Sequence, residues 1–105
     1  MDRIVTLLSD LRIPFAYHHF AEGEAPDPPF ICYLVSGSDN FFADNQVYKR
    51  IDEVHVELYT DVKEPATEKA LEAALDGAGI CYQKEETWIE SERLYEVLYA
   101  FEMEV

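Results

Sequence analysis

The sequence predicts an α+β domain: a mainly antiparallel sheet of about five strands with two helices packed on one face, in the order α-β-β-β-α-β-β. Three observations lead to this class. Apolar residues recur at helical spacing in two segments, they alternate at strand spacing in several others, and the second helical segment separates two groups of strands. With 105 residues and neither an internal repeat nor a long linker, residues 1–105 read as a single domain.

Taken in order, Ile4, Leu7, Leu8 and Leu11 mark a short helix over residues 1–11, closed by Pro14. Residues 15–20 are rich in aromatics and read as a strand. Residues 21–29 hold three prolines and a glycine, and read as a loop. Residues 30–35 are apolar at every position, as in a strand covered on both faces. Residues 37–45 read as irregular, with Asp39, Asn40, Asp44 and Asn45 as turn formers around Phe41-Phe42. From 51 to 60, Val54, Val56 and Leu58 alternate with His55, Glu57 and Tyr59. Asp52-Glu53 breaks the phase with Ile51, which predicts a bulge there.

The second helix starts at Pro65 and ends at Gly77 and Gly79. Its inward stripe reads as Ala66, Ala70, Leu71, Ala74, Leu75 and Ala78, and Glu64 and Glu68 favour the positive end of its dipole. Residues 80–89 and 94–105 complete the sheet as a hairpin through the turn at 90–93. In the last strand Tyr95, Val97, Tyr99, Phe101, Met103 and Val105 share one face. Two helices leave the other sheet face short of cover. Its mixture of tyrosines and glutamates suggests a surface partly wet and partly in contact.

Charge narrows the function. Twenty-two acidic residues against eight basic give a formal net charge of −14, which repels phosphate backbones and disfavours tight nucleic-acid binding. Acidity also keeps a protein soluble. No apolar run approaches the roughly 20 residues that span a bilayer, so no membrane partner is expected. Residues 1–12 lack the pattern of a signal peptide. Cys32 and Cys81 lie in apolar runs and read as buried, reduced thiols of an intracellular protein.

A catalytic set is not evident. His18 and His19 are neighbours, so on a strand they face opposite sides and cannot share a metal. No Cys-x-x-Cys or His-x-x-x-His spacing, nucleophile elbow or phosphate-cradling glycine loop occurs. His18, Asp39 and Cys32 would be the members of a weaker, hydrolase-like grouping. The expectation is a protein that is not an enzyme and uses no cofactor or metal.

What remains is aromatic surface. Seven tyrosines and six phenylalanines exceed what a core of this size readily takes in, and tyrosine is enriched at protein interfaces. Tyr17, Tyr33, Tyr99 and Phe101 suit core or half-buried sheet positions. Phe41, Phe42, Tyr48 and Tyr59 are the candidate subunit-interface residues.

The run Asp39-Asn40-Phe41-Phe42-Ala43-Asp44-Asn45, then Val47-Tyr48 and Val56-Glu57-Leu58-Tyr59-Thr60-Asp61, resembles small proteins of tailed phages and prophages of Gram-positive bacteria. Glu86-Thr87-Trp88-Ile89-Glu90-Ser91-Glu92 with Leu94-Tyr95 fits the same group. The resemblance implies a tail-terminator or head–tail joining protein: a hexameric ring at the end of the tail tube, without enzymatic activity or cofactor. Its implied partners are further copies of itself and the tail-tube and head-completion proteins. Its implied place is the virion tail or neck, after assembly in the bacterial host cytoplasm. An acid-lined ring would let DNA pass without sticking. The alternative is a small acidic binding module, or a DNA-mimic inhibitor, acting on a basic partner.

Overall fold

The computed structural model describes residues 2–43 and 45–104, without the side chains of Asp2, Phe41, Phe42, Ala43, Val47 and Tyr48. Helix α1 (Asp2–Asp10) buries Ile4 and Leu8, one turn apart, and leaves Arg3, Thr6 and Ser9 outside. Helix α2 (Pro65–Gly77) starts on Pro65, whose missing N–H costs nothing in a first turn. It ends in a Schellman motif. Gly79 takes φ +73, its N–H donates to the Asp76 carbonyl (3.0 Å), and the Ile80 N–H donates to the Leu75 carbonyl (3.0 Å).

The strands are β1 (Phe15–Tyr17), β2 (Phe30–Ser38), β3 (Phe41–Ala43), β4 (Gln46–Lys49), β5 (Ile51–Thr60), β6 (Tyr82–Ile89) and β7 (Leu94–Glu104). Five of them form one sheet in the order β1-β2-β5-β7-β6. Only β1–β2 is parallel; the other three pairings are antiparallel. The α+β class and the predicted order of helices and main-sheet strands hold.

Both helices pack on one sheet face. Ile4, Leu8, Leu71 and Leu75 join Ile31, Tyr33, Val54, Val56, Leu58, Val97, Tyr99, Phe101 and Met103 in one cluster. Each fully buried aliphatic side chain there contributes about 1.5–3 kcal/mol of transfer free energy. The period-two pattern of β5 and β7 produces this directly, because Val54, Val56, Leu58 and Val97, Tyr99, Phe101 fall opposite one another in register.

Four local expectations change. The first strand stops at Tyr17, since His18 adopts φ +67 and turns the chain away. Residues 37–45 are not irregular throughout: β2 runs to Ser38, and β3 and β4 form a separate two-stranded sheet turned at Asn45, whose φ of +61 asparagine tolerates well. The bulge near Asp52-Glu53 lies on the opposite strand, between Val35 and Gly37 of β2, while β5 pairs with β7 without a break. In α2 the inward stripe is Glu68, Leu71 and Leu75; Ala66 and Ala70 are exposed.

Glu68 is only 4% exposed and is held by charge. Its carboxylate receives Lys63 Nζ at 2.7 Å and Lys84 Nζ at 3.0 Å. Lys84 also reaches Glu72 (2.7 Å), which accepts the Tyr99 hydroxyl (2.7 Å), and Lys63 also pairs with Glu86. Burial raises the Glu68 carboxyl, but the two ammonium groups outweigh it and hold the group below its usual range. Glu72 is lowered in the same way, with Lys84 and the Tyr99 hydroxyl outweighing burial.

Candidate functional site

The face of the sheet away from the helices is set by register. Phe30, Tyr59 and Glu96 lie side by side across β2, β5 and β7; Cys32, Glu57, Leu98 and Glu85 form the next row, and Leu34, His55, Ala100 and Gln83 the one after. Both described helices pack on the opposite face, so neither covers this open one. Phe30, Leu34, Tyr59, Leu94, Leu98 and Ala100 are nevertheless half-buried, so the face is apolar at its centre. Phe30 stacks on Tyr59 (centroids 5.1 Å apart) and receives the edge of Phe20 (5.5 Å).

Its charge is one-sided. Glu53, Glu57, Glu85, Glu96, Glu102 and Glu104 occupy open-face register positions, and among the described residues no lysine or arginine does. At the centre the Tyr59 hydroxyl stands 2.9 Å from Glu96 Oε2 and 3.1 Å from Glu57 Oε1. Burial, and then the negative charge of Glu96, push the Glu57 carboxyl above its usual range; Tyr59, His55 and His18 only partly offset this. Burial and the neighbouring carboxylates raise the Tyr59 phenol too, so it stays protonated. Where β7 outruns β6, an open cleft of about 770 Å³ is lined by Arg3, Glu53, His55, Cys81, Glu102 and Glu104.

Of the residues expected at a subunit interface, Tyr59 lies at the centre of this face. Phe41 and Phe42 belong to β3 and Tyr48 to β4, and their side chains lie outside the described residues. The hairpin that carries these three is not part of the sheet that carries Tyr59. Glu57 and Glu96 join Tyr59 there, two residues that the sequence does not single out. Their signal was present in the alternation of β5 and β7, but which glutamates meet depends on register.

The chemical groupings also resolve. Cys32 is buried on the open face, and burial, Glu57 and Glu96 push its thiol up to about 11. Cys81, by contrast, is exposed, because β6 starts only at Tyr82 and the residue before it lies outside the sheet. Tyr33, Tyr99 and Phe101 are buried as expected, whereas Tyr17 is 50% exposed, packing its edge on Tyr33 while its hydroxyl accepts the Val35 N–H (3.2 Å). His18 and His19 do not face opposite sides, for the turn at His18 brings their Nδ1 atoms to 2.8 Å. His18, Asp39 and Cys32 do not form one site: Asp39 follows the far end of β2, roughly 20 Å along the strand from Cys32 at the usual rise. Among the described residues no group of three or more His, Cys, Asp or Glu side chains has a metal-binding arrangement, and no helix is long and apolar enough to cross a membrane.

No model of a known protein family matches the chain, and no curated protein matches it. Seven chains of solved structures do. Among them is a chain of the virion of a native gene transfer agent particle, which superposes with a TM-score of 0.66 at 14% identity, over 94% of this chain and 83% of that one. At that identity the likeness is one of fold, and it extends over nearly the whole α+β domain described above.

Proposed function

We propose that this chain is a structural subunit of a phage-like particle, a tail-terminator or head–tail joining protein that forms a homo-oligomeric ring of six at the end of the tail tube. The observation that carries this reading is the fold shared, over 94% of the chain, with a chain of a gene transfer agent virion. The open sheet face supports it, because apolar sheet surface without cover is the usual mark of a contact made in an assembly. In this reading Phe41, Phe42, Tyr48 and Tyr59 are interface residues, the protein works without catalysis or cofactor, and it resides in the neck of the particle after assembly in the host cytoplasm.

The test is mass spectrometry of purified particles from the encoding host, together with electron microscopy of the protein mixed with its tail tube. The expected result is the chain in the particle and a ring at the tube end. Its absence from particles would overturn the proposal.

A second reading, an acidic module that binds a basic partner, draws on the lack of lysine and arginine on the open face. It predicts a stable monomer, missing from particles, that captures a DNA-binding protein.

A further inference from the structure

The chain treats its two half-hidden groups of carboxylates differently. Beneath α2, Glu68 and Glu72 have Lys63 and Lys84 within 3.0 Å. On the open face, Glu57 and Glu96 flank one phenol, and among the described residues no lysine or arginine stands at a register position of that face, where His55 only partly offsets the charge. A phenol has a single hydrogen. It can donate to one carboxylate at a time, and the other then meets an oxygen lone pair. Around these groups lies half-buried apolar surface, namely Phe30, Leu34, Leu98 and Ala100. Surface of this kind excludes water when covered and makes an uncompensated carboxylate costlier still. The rest of the counter-charge must therefore arrive with whatever covers the face.

We infer that the open face docks a partner protein that lays an apolar surface on Phe30, Leu34 and Leu98 and inserts an arginine between Glu57 and Glu96. Charge complementarity selects a cation. The geometry selects a guanidinium over an ammonium, since two carboxylates on either side of a hydroxyl suit a planar fork of five donors. The stacked Phe30–Tyr59 pair adds an aromatic platform against which a guanidinium packs well. The partner is a different protein from this chain, whose eight basic residues are outnumbered by twenty-two acidic ones, so Tyr59 meets that protein rather than a second copy in the ring. This inference rests on the assembly reading above and names the chemistry of one of its contacts.

The experiment uses the whole chain, labelled for NMR, and a short capped peptide carrying one arginine among leucines and threonines. The same peptide with lysine, and with citrulline (isosteric but uncharged), serves for comparison. The expected result is shifts centred on Tyr59, Cys32 and Leu98, binding at least tenfold weaker for citrulline and clearly weaker for lysine, and loss of the shifts in E57Q/E96Q. That variant should remain folded, with a denaturation midpoint at neutral pH no lower than the parent's.

Shifts spread evenly over carboxylates of both faces, equal binding of lysine, or unchanged binding by E57Q/E96Q would overturn the inference. So would self-association of the chain that E57Q/E96Q abolishes, because the occupant would then be a second copy. The two proposals fail separately. Selective binding by a chain absent from particles removes the assembly reading alone, whereas a chain present in particles without selective binding removes only this one.

Discussion

Two sites in this small domain hold pairs of glutamates, and they behave in opposite ways. Under α2, Glu68 and Glu72 are bound by lysines and titrate low. On the open face Glu57 sits among apolar neighbours and beside Glu96, and it titrates high. The first site is closed, with donors and acceptors matched inside one chain. The second is left unmatched. A buried charge with its partners contributes to a defined structure, while one without them costs stability unless another molecule completes it. The difference separates carboxylates that hold the fold from carboxylates that it holds at a cost.

The comparison can be broken first at the closed site. Replacing both Lys63 and Lys84 with methionine leaves Glu68 buried and alone, and should cost about 3–5 kcal/mol in urea denaturation. The loss should shrink as pH falls, because the carboxyl can then take up a proton. Lys84→Met by itself should cost about 2 kcal/mol, less than for a fully buried pair, since its ammonium is partly solvated and Lys63 remains.

The open site gives the contrary result. Glu57→Gln should stabilise the isolated chain at pH 7 by about 1 kcal/mol, and by nothing near pH 4. The sign follows from the raised carboxyl: its stabilising share is complete below the unfolded pKa and is lost as pH rises through the folded one. For Glu68 and Glu72 the folded pKa is lowered, so their share is present above the unfolded value and is lost as pH falls through the folded one. The parent chain should therefore be most stable in mildly acid solution, declining toward neutrality and again at stronger acid. Thermal denaturation from pH 3 to 8 checks this. Least in energy but simplest to read, thiol titration of the native chain should modify Cys81 promptly and Cys32 only on unfolding.

Much of the frame was legible because it rests on period. The alternation of β5 and β7, the Ile4–Leu8 spacing and the Pro65-to-Gly79 limits of α2 each carry their own signal, and each appears where expected. What escaped depends on pairs. The bulge falls on β2 rather than β5, because a phase break in β5 does not say whether β5 or its neighbour accommodates it. Glu68 resembled a residue favouring the helix dipole until Lys63 and Lys84 came near it. Glu57 and Glu96 lie far apart in the chain, and only the Tyr59↔Glu96 register joins them. His18 turns the backbone without glycine, which a local reading assigns to an ordinary strand. The site was harder to read than the fold because chemistry depends on which strands become neighbours.

Strand order has a consequence for how the folded chain comes into being. β7 sits between β5 and β6 and contributes Val97, Tyr99, Phe101 and Met103 to the core, yet it is translated after every other element described. Until it leaves the ribosome, β5 lacks one of its two neighbours and the helices have only part of a sheet to pack on. A growing chain thus has no finished sheet to offer, and a copy that stops short of β7 lacks the core those residues supply. The position of one strand thus ties completion of the fold to the last element described.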